Sequence, residues 1–248
     1  MLFEDRANKA AGNNIISRRP GLSGNMLACF SDYFCMHEKN YTGIIPEQTS
    51  GVAIDASSYT DFSSVEEAKT FFQEARKRLL DINNWHRIAG NLSATFQLTD
   101  KNGNEADTEA KEGYFLKIDI PGPGSATGKG YDWVIIESIE NTSTPAIESV
   151  GIRVRPAGNP MNTDKDVAHF YSQESTSSFT VTREGNRVTA AIYDRNTQSN
   201  AEASNLIDKV RDAIVGAAGI AAFSKVQWKL LADGLIKTTL PSRNSPED

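Results

Sequence analysis

Glu137 is the acidic residue whose neighbours make it a candidate for chemistry. The alternation of Tyr131, Trp133, Ile135, Glu137 and Ile139 predicts that this carboxyl shares one strand face with apolar side chains. On a buried face, loss of hydration would raise its pKa and make it a proton donor or a hydrogen-bond partner for a ligand. On an exposed face it would be a solvated charge, and the pattern leaves both arrangements open.

Two arginines on the next predicted strand are candidates for binding an anion. Arg153 and Arg155 alternate with Val150, Ile152 and Val154, so both arginines project from one face. Two guanidinium groups in this arrangement could hold a carboxylate or phosphate through forked hydrogen bonds. The alternative is the outer, solvated face of a strand whose other side is core, which is the more common arrangement.

Two further patterns suggest a metal or nucleotide site but lack the required spacing. Cys29, Cys35 and His37 lie close together, whereas zinc sites favour cysteines two to four apart and a fourth ligand. The glycine-rich segment 121–130 has three residues between Gly124 and Gly128 where a phosphate loop needs four, and it joins two predicted strands. We therefore expect no metal and no cofactor, and we interpret segment 121–130 as a loop at the rim of a cavity.

The composition disfavours several classes of partner. The net charge of −6 argues against nucleic acid or an anionic membrane surface, since both attract basic proteins. No apolar run is long enough to span a membrane. The first residues include an acidic pair and no apolar core, and two cysteines in 248 residues do not form a disulfide framework. We therefore expect a cytoplasmic protein.

The periodicity of apolar residues predicts the architecture. A strand at 51–56 precedes a helix whose apolar positions recur every three or four residues from Val65 to Leu79. Six segments of period two then follow between residues 92 and 194, and a helical stripe covers 203–237. This order predicts an α+β fold in which a curved antiparallel sheet of about seven strands wraps a long C-terminal helix. We expect three regions, namely a loosely structured arm (1–50), this domain (51–240) and a flexible tail (241–248).

The order of elements resembles the helix-grip fold of the START-like or SRPBCC superfamily, which includes polyketide cyclases and Bet v 1-like proteins. The resemblance covers about 51–237 and is carried by GVAIDA, SSVEEA, LLDINNWHRIAG and the Ala-rich final helix. In this superfamily a similar segment ends the first helical pair, and here it corresponds to Leu80, Asp81 and Trp85. The resemblance implies a cavity between sheet and helix without implying its use.

A cavity of this kind favours a binding protein for a small apolar or amphipathic molecule. The helix is nearly free of bulky side chains over 216–222, which leaves volume against the concave sheet. The predicted ligand-binding residues are Trp85, Trp133, Glu137, Arg153, Tyr193, Gly216, Gly219 and Phe223. Two alternatives stay open: a cyclase, dehydratase or hydrolase using Glu137 as acid or base, and an interaction domain whose arm binds a partner. Self-association into a homo-oligomer is also left open.

Overall fold

The computed structural model describes residues 38–90, 94–120, 128–163, 166–198 and 216–238. Contacts divide the chain between Glu38 and Lys39, and the second unit begins at Lys39. The elements below all belong to this second unit. The cysteines at 29 and 35, His37, the N-terminal part of the expected arm and the tail at 241–248 lie outside the described residues.

Seven strands form one antiparallel sheet, as the sequence predicts. Its spatial order is β1-β7-β6-β5-β4-β3-β2, so β2 to β7 form a meander and β1 pairs with the last strand. The strands are β1 (Val52–Asp61), β2 (Thr95–Thr99), β3 (Phe115–Asp119), β4 (Asp132–Ser143), β5 (Ile147–Pro156), β6 (Thr176–Glu184) and β7 (Arg187–Thr197). The predicted α+β class with a curved sheet and a C-terminal helix is confirmed.

Helices pack against the face of this sheet that we call the inner face. They are α1 (Val65–Leu80), α2 (Trp85–Ile88) and α3 (Gly216–Leu235), with a 3-10 turn at Ile82–Asn84. The α1 helix begins where predicted, because the Ser64 hydroxyl accepts a hydrogen bond from the Glu67 amide at 3.2 Å. The part of the predicted C-terminal helix before Gly216 lies outside the described residues.

The core lies between the inner face and the helices. Trp85 is central to it, because it is fully buried and its ring packs 4.8 Å from Phe179 and 5.4 Å from Phe96. Its indole Nε1 donates to the Leu79 carbonyl at 3.1 Å, which satisfies a carbonyl in the last turn of α1. Trp85 therefore joins the end of α1 to the sheet.

Residues 39–50 cover part of the opposite face, which we call the outer face, and we name them the covering segment. Ile44 and Ile45 form a second buried cluster with Tyr193 and Ala191 of β7. Gly151 of β5 permits this contact, because a Cβ at that position would lie 2.8 Å from Ile44 Cγ2. The covering segment belongs to the second unit of the chain.

A β-bulge in β4 changes the alternation that the sequence suggests. The pairing of β4 with β5 shifts between Ile136 and Ser138, so one extra residue enters β4. Before the bulge, Val134 and Ile136 belong to the inner core, and after it Ile139 packs against that core as well. The predicted shared face of Glu137 and Ile139 is therefore wrong, because the inserted residue reverses the phase between them.

Candidate functional site

A cavity lies between the inner face and α3, and we call it the inner cavity. Its volume is about 60 Å³, and its walls come from β2 to β6, α3 and the segment that precedes β6. The lining residues are Ala94, Phe96, Leu116, Ile118, Ile120, Val134, Val154, His169, Phe170, Tyr171, Ser177, Phe179, Phe223, Ser224, Gln227 and Trp228. Most of these side chains are apolar or aromatic, which is the usual character of a small-molecule site.

Polar groups on one side of the inner cavity form a hydrogen-bonded cluster, consisting of His169, Tyr171 and Ser224. The Tyr171 hydroxyl and the Ser224 hydroxyl are 3.2 Å apart and bridge the sheet side to α3. The His169 Nδ1 accepts a hydrogen bond from the Tyr171 amide at 2.9 Å. Because Nδ1 is an acceptor, the proton of a neutral His169 ring lies on Nε2.

The titratable members of this cluster are uncharged at neutral pH. Burial lowers the pKa of His169 to about 3, and the hydrogen bond from Tyr171 does not offset that effect. Burial likewise raises the pKa of the Tyr171 hydroxyl above its ordinary value, with the hydrogen bond to Ser224 acting in the opposite direction. The cluster therefore presents hydrogen-bonding groups without a net charge.

The buried carboxyl of Asp194 orients one residue of the cavity wall. Asp194 Oδ2 accepts a hydrogen bond from the Trp228 indole Nε1 at 2.8 Å, which fixes an aromatic residue that lines the cavity. Asp194 is fully buried, and its Oδ1 has no hydrogen-bond partner among the described residues. Burial raises the pKa of Asp194 to about 6, although hydrogen bonds from Ser177 and Trp228 favour the charged form.

A second buried carboxyl, that of Asp132 on β4, lies on the same inner face of the sheet as Asp194. Asp132 pairs in register with Ile118, and it has the same strand phase as Val134, so it belongs to the inner row. Burial raises its pKa to about 7, and its Oδ1 has no hydrogen-bond partner in the described part of the chain. Asp132 is outside the cavity lining, and it lies beyond Val134 along the same row.

Phe223 is the sequence-predicted site residue that lines the inner cavity. Trp85 lies in the core beneath the cavity, in contact with Phe96 and Phe179, which are lining residues. Gly216 and Gly219 fall in the first turns of α3, whose side chains are described only from Ala222 onward. Among the described residues, the inner cavity therefore brings Phe223 together with residues outside the predicted set of eight.

The other four predicted residues lie on the outer face. Trp133 has the phase of Ile135 and is buried there, with its Nε1 donating to the Gly128 carbonyl at 3.3 Å. Tyr193 packs in the outer cluster, and its hydroxyl accepts a hydrogen bond from the Lys39 amide at 3.2 Å. Arg153 and Glu137 are hydrogen-bonded to each other on the same side of the sheet. These four side chains are separated from the inner cavity by the sheet itself.

Glu137 is an ion-pair partner in this structure. Its carboxylate accepts hydrogen bonds from Arg153 Nε at 2.8 Å and from Arg155 Nε at 2.5 Å. Partial burial raises its pKa, but the hydrogen bonds and charges of Arg155 and Arg153 outweigh that effect and hold the pKa below its ordinary value. A carboxyl in this environment stays ionised at neutral pH, so Glu137 lacks the raised pKa that the enzyme hypothesis requires.

Two members of the polar cluster that the sequence did not indicate lie between β5 and β6. His169 and Tyr171 belong to a polar segment without regular periodicity, so no pattern predicts which side chains turn inward. Asp194 could have been found, because it continues the phase of Val188, Ala190 and Ile192, which are all buried on the inner face.

The described residues contain no group of three or more His, Cys, Asp or Glu side chains arranged to hold a metal ion. Within the same part of the chain, every helix is too short or too polar to cross a membrane.

The fold and the cavity define an α+β protein of the helix-grip class. No protein-family model matches the sequence, and the comparison with curated proteins also found no match. Solved structures with a similar fold include hypothetical protein jhp0584 from Helicobacter pylori, with 13% identity, coverage of 75% of this chain and 87% of that chain, and a TM-score of 0.40.

Two plant proteins are also among the similar structures. Truncated norcoclaurine synthase from Thalictrum flavum has 7% identity, covers 78% of this chain and 100% of its own, and gives a TM-score of 0.31. Major latex-like protein 151 from Panax ginseng has 15% identity, covers 66% of this chain and 96% of its own, and gives 0.30. Similarities this remote assign no family, ligand or reaction, and the helix-grip assignment rests on the element order and sheet topology of this chain.

Proposed function

We propose that this protein binds a small apolar or amphipathic molecule in the inner cavity. The observation that carries the proposal is an apolar space enclosed by sheet and helix, with a hydrogen-bonded cluster of His169, Tyr171 and Ser224 on one side. An apolar ligand body would contact the sheet side chains and the aromatic residues of α3. The polar end of the ligand would meet the cluster.

The aromatic wall gives the apolar body a defined surface. Phe179 and Trp228 meet edge to face, with ring centroids 5.2 Å apart and an interplanar angle of 89°. Since Asp194 holds the Trp228 indole through a hydrogen bond, this wall is oriented before any ligand arrives. A pre-oriented surface reduces the entropy lost on binding.

The neutral cluster selects the kind of polar group on the ligand. A carboxylate entering this cavity would lose its hydration and meet no cation among the described lining residues. A hydroxyl or carbonyl group costs much less to desolvate and could exchange hydrogen bonds with the cluster. We therefore infer that the preferred ligand is uncharged.

Straight-chain primary alcohols provide a graded probe of this site, because they join a hydroxyl to an apolar chain of adjustable length. The cavity of about 60 Å³ holds only a few heavy atoms, so affinity should rise with chain length and then level off. While the added carbons enter the cavity, each one should strengthen binding about fourfold. Fluorescence of Trp228 reports binding, since the other two tryptophans do not line this cavity.

A matched pair of variants separates the cavity from the rest of the surface. Ala94→Leu adds bulk to the inner cavity, whereas Ala222→Leu makes the same change at an exposed position of α3. We expect Ala94→Leu to weaken 1-pentanol binding about tenfold or more and Ala222→Leu to leave it unchanged. The proposal fails if no alcohol binds saturably, or if both variants bind 1-pentanol as the original protein does.

A further inference from the structure

A second pocket lies on the outer face, over β3 to β5, and we call it the outer pocket. Its volume is about 280 Å³, larger than that of the inner cavity. Its floor is a row of three cross-strand neighbours, Phe115, Ile135 and Arg155, on β3, β4 and β5. Such a row presents its side chains side by side on one face.

Two connections form the walls of the outer pocket and hold each other in place. One is the turn at 100–104, where the Asp100 carboxylate accepts hydrogen bonds from the Asn102 and Asn104 amides at 2.8 and 2.9 Å. The other is the segment 156–161 after β5. The two touch at Gly103, where a Cβ would lie 2.6 Å from Met161 Cγ. The pocket is thus enclosed by segments with fixed mutual positions.

Hydrogen bonds to the sheet also fix the second wall. The Ala157 amide donates to the Trp133 carbonyl at 2.9 Å, and the Ala168 amide donates to the Ala157 carbonyl at 3.0 Å. The Asn159 side-chain oxygen accepts a hydrogen bond from the Met161 amide at 2.9 Å. A wall tied at these points keeps its shape without a ligand.

Arg155, in the floor of the outer pocket, has N–H groups without an acceptor among the described residues. A guanidinium has five N–H groups. For Arg155, three bonds are formed: Nε and Nη2 with Glu137 at 2.5 and 3.5 Å, and Nη1 with the Gln173 carbonyl at 2.7 Å. Two N–H groups, one on each terminal nitrogen, therefore have no acceptor among the described residues, and the first three bonds hold the side chain in a fixed orientation.

The charged side chains that line the outer pocket are both cations, Arg155 and Lys101. Glu137 is shared by Arg155 and Arg153, so one carboxylate balances two arginines. Lys101 lines the pocket from the turn and has no ion-pair partner in the described part of the chain. The exposed Glu174 lies close enough for Arg155 to contribute to its lowered pKa, so it is one opposing charge near the pocket. Asp100, in the turn that forms one wall, is a further carboxylate, but it is outside the pocket lining, where Arg155 and Lys101 are the charged residues.

We propose that the outer pocket binds a small carboxylate with an apolar body, at a site separate from the inner cavity. Arg155 takes the carboxylate on its two remaining N–H groups, assisted by Lys101 at the rim. Phe115 and Ile135 contact the apolar body, and the segment 156–160 encloses it. The volume suits a molecule of the size of phenylacetate better than a drug-sized ligand.

Phenylacetate titration, followed by calorimetry and by the backbone amide shifts of Ala157 and Gly158, tests this proposal. Saturable binding that shifts these two amides is the expected result. The neutral analogue 2-phenylethanol keeps the apolar body, and inorganic phosphate keeps a negative charge without that body. Each should bind at this pocket at least about tenfold more weakly than phenylacetate.

Arg155→Gln and Arg153→Gln form a matched pair, since both arginines lie on β5 and share the Glu137 carboxylate. Only Arg155 lines the outer pocket. We expect Arg155→Gln to weaken phenylacetate binding about tenfold or more and Arg153→Gln to change it less than about twofold. Lys101→Gln, at an exposed turn position that tolerates substitution, should weaken it about twofold to threefold.

Three results would overturn the proposal. Equal weakening by Arg155→Gln and Arg153→Gln would show that the effect is structural. Phosphate binding as tight as that of phenylacetate would show that the apolar floor is not used. Amide chemical-shift changes confined to Phe179 and Trp228 would place phenylacetate in the inner cavity. That result would overturn the outer-pocket proposal without changing the outcome of the alcohol titrations.

Discussion

The inner cavity and the outer pocket differ in the charge of the polar side chains around them, although one sheet forms the floor of both. Around the inner cavity, His169 and Tyr171 are kept neutral, and burial raises the pKa of Asp194. On the outer face, Glu137 keeps its charge because Arg155 and Arg153 neutralise it. The difference teaches that the partners around a carboxyl, more than the type of residue, decide its charge in this protein.

This contrast is local to the cavity end of the inner face. At the other end, the fully buried Arg183 pairs with Glu148 at 2.6 Å and donates to the carbonyls of Pro145, Ala146 and Gly185. The same face therefore accepts charge where a complete set of partners exists. The cavity end lacks such a set among its described residues, which is why it suits an uncharged ligand.

The largest expected effect concerns the contribution of the inner core to stability. Trp85→Ala should lower the free energy of unfolding by about 3 to 5 kcal/mol, because it removes a fully buried ring and leaves carbonyls of α1 without their donor. Urea denaturation measures this value. A loss below about 1 kcal/mol would mean that Trp85 does not join α1 to the sheet.

Asp194→Asn should raise stability at neutral pH, because it removes a buried charge while keeping an acceptor for the Trp228 indole. The raised pKa of about 6 means that Asp194 stabilises the folded state fully below its unfolded value of 3.8, and that this contribution is lost as the pH rises through 6. The gain of the variant should be about 1 to 3 kcal/mol at pH 8 and should be much smaller at pH 4.

Urea denaturation of the two proteins at several pH values between 4 and 8 checks this dependence. Asp132 and His169 also titrate over the acidic range, and they cancel in the difference between the proteins. A difference that stays constant with pH would show that the carboxyl is not shifted by its burial.

Gly151→Ala should destabilise the outer cluster by about 1 to 2 kcal/mol, because the new methyl group would overlap Ile44. The loss should almost disappear when Ile44 is already alanine, since the overlapping atoms are then absent. A double-mutant cycle by thermal denaturation measures this coupling. An equal loss in both backgrounds would contradict the packing of the covering segment on β5.

Glu137→Gln should have the smallest effect and the opposite pH dependence to Asp194→Asn. The lowered pKa of Glu137 gives stability that is present above its unfolded value of 4.5 and is lost as the pH falls through the folded value. We expect a loss of about 1 kcal/mol at pH 7 that shrinks under acidic conditions. A loss that grows on acidification would contradict the ion pairs seen on the outer face.

The fold was predictable because its patterns are local and strong. The serine cap and the three-four spacing of Val65 to Leu79 identify α1, and period two identifies each strand. The phase of Glu137 was not predictable, since a bulge between Ile136 and Ser138 leaves no mark in an alternating sequence. Identifying the inner face also requires knowing which side of the sheet the helices cover.

The site was less predictable than the fold. Phe223 was predicted as an aromatic residue of the C-terminal helix, whereas His169 and Tyr171 reach the cavity from an irregular segment whose path depends on tertiary contacts. Arg153 and Arg155 do hold a carboxylate, as the sequence suggested, but the carboxylate belongs to Glu137 of the same chain. Spacing along β5 indicated the chemistry of this pair and could not identify its partner.

The central claim is that an uncharged ligand binds on the inner face, and intermolecular nuclear Overhauser effects from bound 1-pentanol test it most directly. The account predicts contacts from the alcohol chain to the methyl groups of Leu116, Val134 and Val154, which line the inner cavity. It predicts none to Ile135 or Ile44, which lie on the outer face. Contacts to Ile135 or Ile44, with none to the inner three, would contradict it.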